Sequence, residues 1–174
     1  MTVFQTVDRA LEQIVQALAA VGCGIVVCIF LLIVIDVTIR TLGFTPPGFT
    51  LAVVEYALLY FAMFAAPYLV RHRGHVTIEA LVTLMPHRSR RILAKFVYLC
   101  CAVIAFLFAY YSILLEIESL QTGEIDLRGI DIPYYLLFIP MPIGFGLAGL
   151  EFLRYLFGPF SWYTYDLGEV KDTV

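Results

Sequence analysis

The chain has 174 residues, 61% of them hydrophobic and 14% charged, with a mean hydropathy of +0.91. So much apolar side chain on so little charge excludes a water-soluble domain of this size and makes a lipid bilayer the solvent. The net charge is -3 and the basic residues gather beside apolar segments, which argues against a nucleic-acid partner.

At the N-terminus, Phe4, Val7, Leu11 and Ile14 recur at helical intervals and predict a short interfacial helix over residues 1–13. From Ile14 to Ile35 no residue is charged. At about 1.5 Å per residue this run crosses roughly 30 Å of hydrocarbon, so a first span is expected at about residues 14–37. The run ends IVIDVTIR and not at a small-residue cleavage site, so it is expected to be retained. Gly43, Pro46, Pro47 and Gly48 then turn the chain. The second span, residues 51–70, carries one charge, Glu55, a turn inside its start. A carboxylate there is costly unless it reaches headgroup water or a partner, and Arg40 is the nearest candidate; both readings stand. Pro67 is expected to kink the far end of this helix.

The segment Arg71 to Lys95 holds six of the eleven Lys and Arg residues. Ile78, Leu81, Val82 and Met85 predict a short amphipathic interfacial helix within the loop 71–93, ended by Pro86. Arg71, Arg73, Arg88, Arg90 and Arg91 bracket it, with topology and attraction to anionic lipid as their expected role. His75 and Glu79 are spaced i, i+4. A metal pair and an acid–base pair are the sharper readings, but two ligands without a third suit zinc poorly and no nucleophile lies beside them. A structural hydrogen bond that fastens the loop is the preferred reading. His72, His75 and His87 all fall in this loop and none in a span, which argues against axial haem ligation from transmembrane helices.

The third span is expected at residues 94–115, with Ala102, Ala105 and Ala109 on one face for close helix packing. Glu116, Glu118, Glu124, Asp126 and Asp131, opposed by Arg128, make the next loop acidic. The fourth span, about residues 132–157, is opened by Pro133 and interrupted by Pro140 and Pro142, while Gly144, Gly146 and Gly149 permit close approach. Phe160, Trp162, Tyr163 and Tyr165 then fit an aromatic belt. Cys23, Cys28, Cys100 and Cys101 sit in apolar runs and read as small hydrophobes.

These readings give an all-α integral membrane protein, a single domain over residues 1–174 with four transmembrane helices. Four spans place both termini and the 71–93 loop on one side, with nine basic residues against two on the other. That bias puts the nine in the cytoplasm. The spans carry almost no ionisable side chain beyond Glu55, where a channel or a self-sufficient carrier needs charged or broken-helix features at the midplane. No catalytic, substrate-binding or metal constellation stands out, and no cofactor is expected. The residues by themselves indicate a non-enzymatic scaffold or partner-binding membrane subunit.

Several pieces together resemble a known family: VTIR with Arg40, VVEY with Glu55, the loop RHRGHVTIEAL with His75 and Glu79, MPHRSRR after it, and DIPYYLLFIPMPIGF at the fourth span. In order and spacing they resemble the small membrane subunit of tripartite ATP-independent periplasmic (TRAP) transporters, the DctQ-like family, over about residues 14–157. That family usually has a tryptophan a few residues ahead of the Glu55 position, where this chain has Phe49. The resemblance implies an inner-membrane location and ion-coupled uptake of an organic acid. It implies two protein partners, a large DctM-like membrane subunit that carries the transport sites and a periplasmic DctP-like binding protein, in addition to membrane lipids. Pro46 and Pro47 in one outer loop, and Glu124, Asp126, Arg128 and Asp131 in the other, are then the candidate docking residues. A membrane-anchored, cytochrome-like redox subunit and an autonomous oligomeric carrier are the alternatives.

Overall fold

The computed structural model of the protein describes residues 2–72, 87–126 and 131–157. The first helix, α1, runs unbroken from Thr2 to Thr41. At about 1.5 Å per residue its 40 residues reach about 60 Å, twice the hydrocarbon thickness. The separate interfacial helix expected over residues 1–13 is therefore the first part of α1. The physical reason is that no glycine or proline lies between Thr2 and Val21, and ALEQIVQALAA is composed mainly of good helix formers. The helix ends in a Schellman cap: Gly43, at φ 83°, donates to the Arg40 carbonyl at 3.2 Å and Phe44 to the Ile39 carbonyl at 3.1 Å.

The second helix, α2, covers Thr50–Arg71, with the Thr50 hydroxyl donating to the Pro47 carbonyl at 3.1 Å. Pro67 lies inside it and has no N–H to give to the Met63 carbonyl, one turn back. Gly144 of a later helix rests against that carbonyl: a Cβ added there would lie 2.5 Å from the Met63 oxygen and 2.9 Å from its Cβ. Glycine is required at this crossing. Gly149 is similar, since its Cβ would meet the Phe106 ring at 3.0 Å, whereas Gly146 faces open space.

The third helix, α3, covers His87–Thr122. Among its described side chains Ala94, Tyr98, Ala102, Ala105, Ala109, Ser112 and Ser119 are buried, and their spacing marks one face, the small-residue face expected from the alanines. A two-residue antiparallel pairing follows, β1 (Ile125–Asp126) with β2 (Ile132–Pro133), Ile125 opposite Pro133 and Asp126 opposite Ile132. The fourth apolar segment is then two helices, α4 (Tyr134–Phe138) and α5 (Pro140–Phe157). Ile132 and Pro133 therefore belong to the hairpin and not to the span. Pro140 opens α5 at a position whose N–H has no intrahelical partner in any case.

Four segments, Asp8–Thr41, Thr50–Arg71, Ile92–Thr122 and Tyr134–Phe157, are long and apolar enough to cross a membrane. They pack in series: α1 on α2, α2 on α5, α5 on α3. The helices form a slab with α1 and α3 at opposite edges. Large apolar side chains such as Phe30 (64% exposed) and Phe96 (62%) face outward along it, as a bilayer solvent allows. The buried cluster of Val70, Ala94, Tyr98, Ala148 and Tyr155 draws on α2, α3 and α5, at the end of the slab where α2 and α5 terminate.

Candidate functional site

Beside that cluster lies a group of five charged side chains from three helices. Asp8 and Glu12 are one turn apart on α1, Arg71 is the last residue of α2, and Glu151 and Arg154 are three apart on α5. Arg71 is the hub. Its Nη1 donates to Glu151 Oε1 at 2.7 Å, and its Nη2 lies 3.2 Å from both Asp8 Oδ1 and Glu12 Oε2. Arg154 completes the group, with Nη1 3.2 Å from Glu151 Oε2 and Nε 2.6 Å from Asp8 Oδ1. Tyr155 donates its hydroxyl to the Arg71 backbone carbonyl at 2.6 Å, one of the carbonyls a helix C-terminus leaves without an intrahelical donor.

Burial decides what this arrangement does. The Glu151 side chain is 0% exposed and that of Arg71 6%, whereas Glu12 is 44% exposed. A buried carboxylate is tolerated when it is paired and hydrogen-bonded, and Glu151 has one guanidinium on each oxygen. A guanidinium stays charged under all ordinary conditions, so Arg71 acts as a permanent cation that joins the first part of α1 to the ends of α2 and α5. The chemistry of the group is that of a clamp.

Arg71, expected at headgroup level, is buried in the structure, and its charge is met by three carboxylates of the protein. Arg73, His75, Glu79, the amphipathic segment around residues 78–85, Arg128 and the aromatic stretch at 160–165 lie outside the described residues, as do the side chains of Arg88, Arg90 and Arg91. His72 is the residue after α2, and its ring stacks on Tyr68 with centroids 4.0 Å apart. Sequence reasoning assigned none of Asp8, Glu12, Glu151 and Arg154 to a site. The available signal was an i, i+4 acidic pair ahead of the first uncharged run, an i, i+3 Glu–Arg pair in the last turns of the fourth span, and a four-span count that brings both to one side.

At the opposite end of the slab, the Tyr56 hydroxyl donates to Asp126 Oδ2 and the Tyr60 hydroxyl to the Leu136 carbonyl, which fasten the hairpin and α4 to α2. Asp126 is buried by this contact, so among the residues expected at the docking surface it turns inward. Glu124, Asp131 and Pro47 are exposed and Pro46 is half-buried. Arg40 bonds Asp36 of its own helix at 3.1 Å, and Glu55 is exposed.

A family model described as "Tripartite ATP-independent periplasmic transporters, DctQ component" matches residues 29–161. The ectoine TRAP transporter small permease protein TeaB of Halomonas elongata is 27% identical over 86 residues, a stretch that covers 49% of this chain and 44% of that protein.

Proposed function

The chain belongs to the DctQ-component family of tripartite ATP-independent periplasmic transporters, and from that premise we propose that it is the scaffold subunit of a secondary uptake system. In this reading it braces a large transport subunit in the bacterial inner membrane and helps receive a periplasmic binding protein that delivers an organic solute. The Arg71 clamp lies on the cytoplasmic side with both termini, and the Pro46–Pro47 turn and the acidic residues Glu124 and Asp131 face the periplasm. Ion coupling and an organic acid as the solute belong to the same reading; the relative's own name specifies ectoine.

One observation carries the scaffold role. The buried charged side chains among the described residues sit at the two ends of the slab, where they tie helices together, and the apolar segments between them hold no charge at the midplane. Such spans are built for packing, not for moving a polar solute across the membrane centre. The test is reconstitution. Proteoliposomes containing the chain alone should take up no solute, and uptake should require a co-purified larger membrane subunit together with a binding protein. Uptake by the chain alone would overturn the proposal.

A further inference from the structure

The loop between α1 and α2 is apolar, although it lies outside both helices. Leu42 is 68% exposed, Phe44 69%, Phe49 40% and Leu51, at the start of α2, 71%. Left in water, this patch would be an unusual expense for an eight-residue connection rich in turn formers. The loop at the same end that joins α3 to α4 presents exposed Glu124 and Asp131 beside exposed Ile125, whereas residues 42–49 carry no charge.

From this contrast we infer that the 42–51 segment is a lipid anchor, its Leu42, Phe44 and Phe49 side chains seated in the interfacial layer of the bilayer. Three observations select lipid as the occupant. First, the loop is tethered at both ends to spans, since α1 ends at Thr41 and α2 begins at Thr50, so it cannot leave the membrane surface. Second, α1 is an edge helix of the slab, and its outward apolar surface continues from Val34 and Val37 into Leu42, as that of α2 begins at Leu51. The patch extends the exposed apolar face of the two spans without a break. Third, the Schellman cap at Gly43 fixes the backbone at Phe44, so the aromatic is presented at a set position four residues after Arg40, whose side chain is 68% exposed. Aromatic and long aliphatic side chains beside an arginine are what a membrane–water interface accepts.

The inference needs the four spans and does not depend on the transport reading. If both hold, the anchor fixes the height at which the Pro46–Pro47 turn is offered to a binding protein.

The test uses the full chain with its single tryptophan removed by Trp162→Phe and a probe introduced by Phe44→Trp, reconstituted in phosphatidylcholine vesicles whose acyl chains carry bromine at defined depths. Leu42→Trp is the second probe should the first variant misfold, and Asp131→Trp in the acidic loop is the water-exposed reference. The expected result is a blue-shifted emission, stronger quenching by shallow than by deep bromines, and acrylamide quenching severalfold below that of the reference. Emission and acrylamide quenching equal to the reference, without bromine quenching, would overturn the anchor. Protection that appears only when a partner protein is added would overturn it too, and would identify the loop as a protein-docking surface.

Discussion

The two ends of the helical slab are fastened in different ways. At one end five charged side chains from α1, α2 and α5 converge, and the most buried of them, Glu151, is satisfied by two arginines. At the other end tyrosine hydroxyls make cross-helix contacts, Tyr56 to Asp126 and Tyr60 to Leu136, and the ion pair of Asp36 with Arg40 lies within a single helix. A buried charge network is an all-or-none device, because removing one partner strands the others. Hydroxyl bonds and a pair within one helix give way singly. The clamp end is therefore the more rigid one, and the hairpin end is the one that gives way more easily.

Breaking the clamp tests this contrast most severely. Arg71→Met leaves Asp8 and Glu12 without their shared cation and Glu151 with Arg154 alone. Loss of one partner from a buried ion network costs about 3–5 kcal/mol, read as a lowered midpoint of unfolding in detergent or bicelles. Adding Glu151→Gln to that variant should recover part of the loss, since a neutral amide is less costly to bury than a carboxylate. Unfolding of Arg71→Met at the wild-type midpoint would show that the network holds nothing together.

The hairpin end should respond more mildly. Tyr56→Phe removes the donor that faces the buried Asp126 carboxylate, and a hydrogen bond to a charged group is worth about 1.5–3 kcal/mol. Faster amide exchange is expected in β1 and β2, with α1 and α5 near the clamp unchanged. Exchange that accelerates equally at both ends would mean that the slab opens as one unit and that the contrast between its ends is false.

How much of this was legible follows from which signal each feature leaves. Four uninterrupted or proline-marked apolar runs are enough to place four spans, and the interval of Ala102, Ala105 and Ala109 is enough to identify the packing face of α3. The hairpin left no such signal: strands of two residues are too short for alternation, and Ile132–Pro133 reads as the start of the apolar run behind it. The clamp was hidden for another reason. Its assembly depends on α1 continuing as helix back through Glu12 and Asp8, and on α2 lying between α1 and α5. Hydropathy encodes neither the order of helices in the slab nor their rotation. Arg71 in particular looks the same in sequence whether it faces lipid phosphate or Glu151, because both sites lie at the end of a span beside other arginines.

Arg40 gives the smallest expected effect and separates two uses of an arginine at a membrane surface. Its side chain is 68% exposed and its partner Asp36 is one turn back on α1, so the pair joins no second helix. Exposed i, i+4 pairs contribute about 0.3–0.5 kcal/mol, and salt reduces this further. Arg40→Ala should therefore leave unfolding of the isolated chain almost unchanged, and Asp36→Ala added to it should cost little more. If the same Arg40→Ala chain nevertheless fails to co-purify with a larger membrane subunit while remaining folded, the guanidinium must act between proteins, since the loss would exceed anything its own helix can account for. Intact assembly would leave Arg40 as a headgroup residue, and the hairpin end would then present its acidic side chains and its apolar loop without help from this cation.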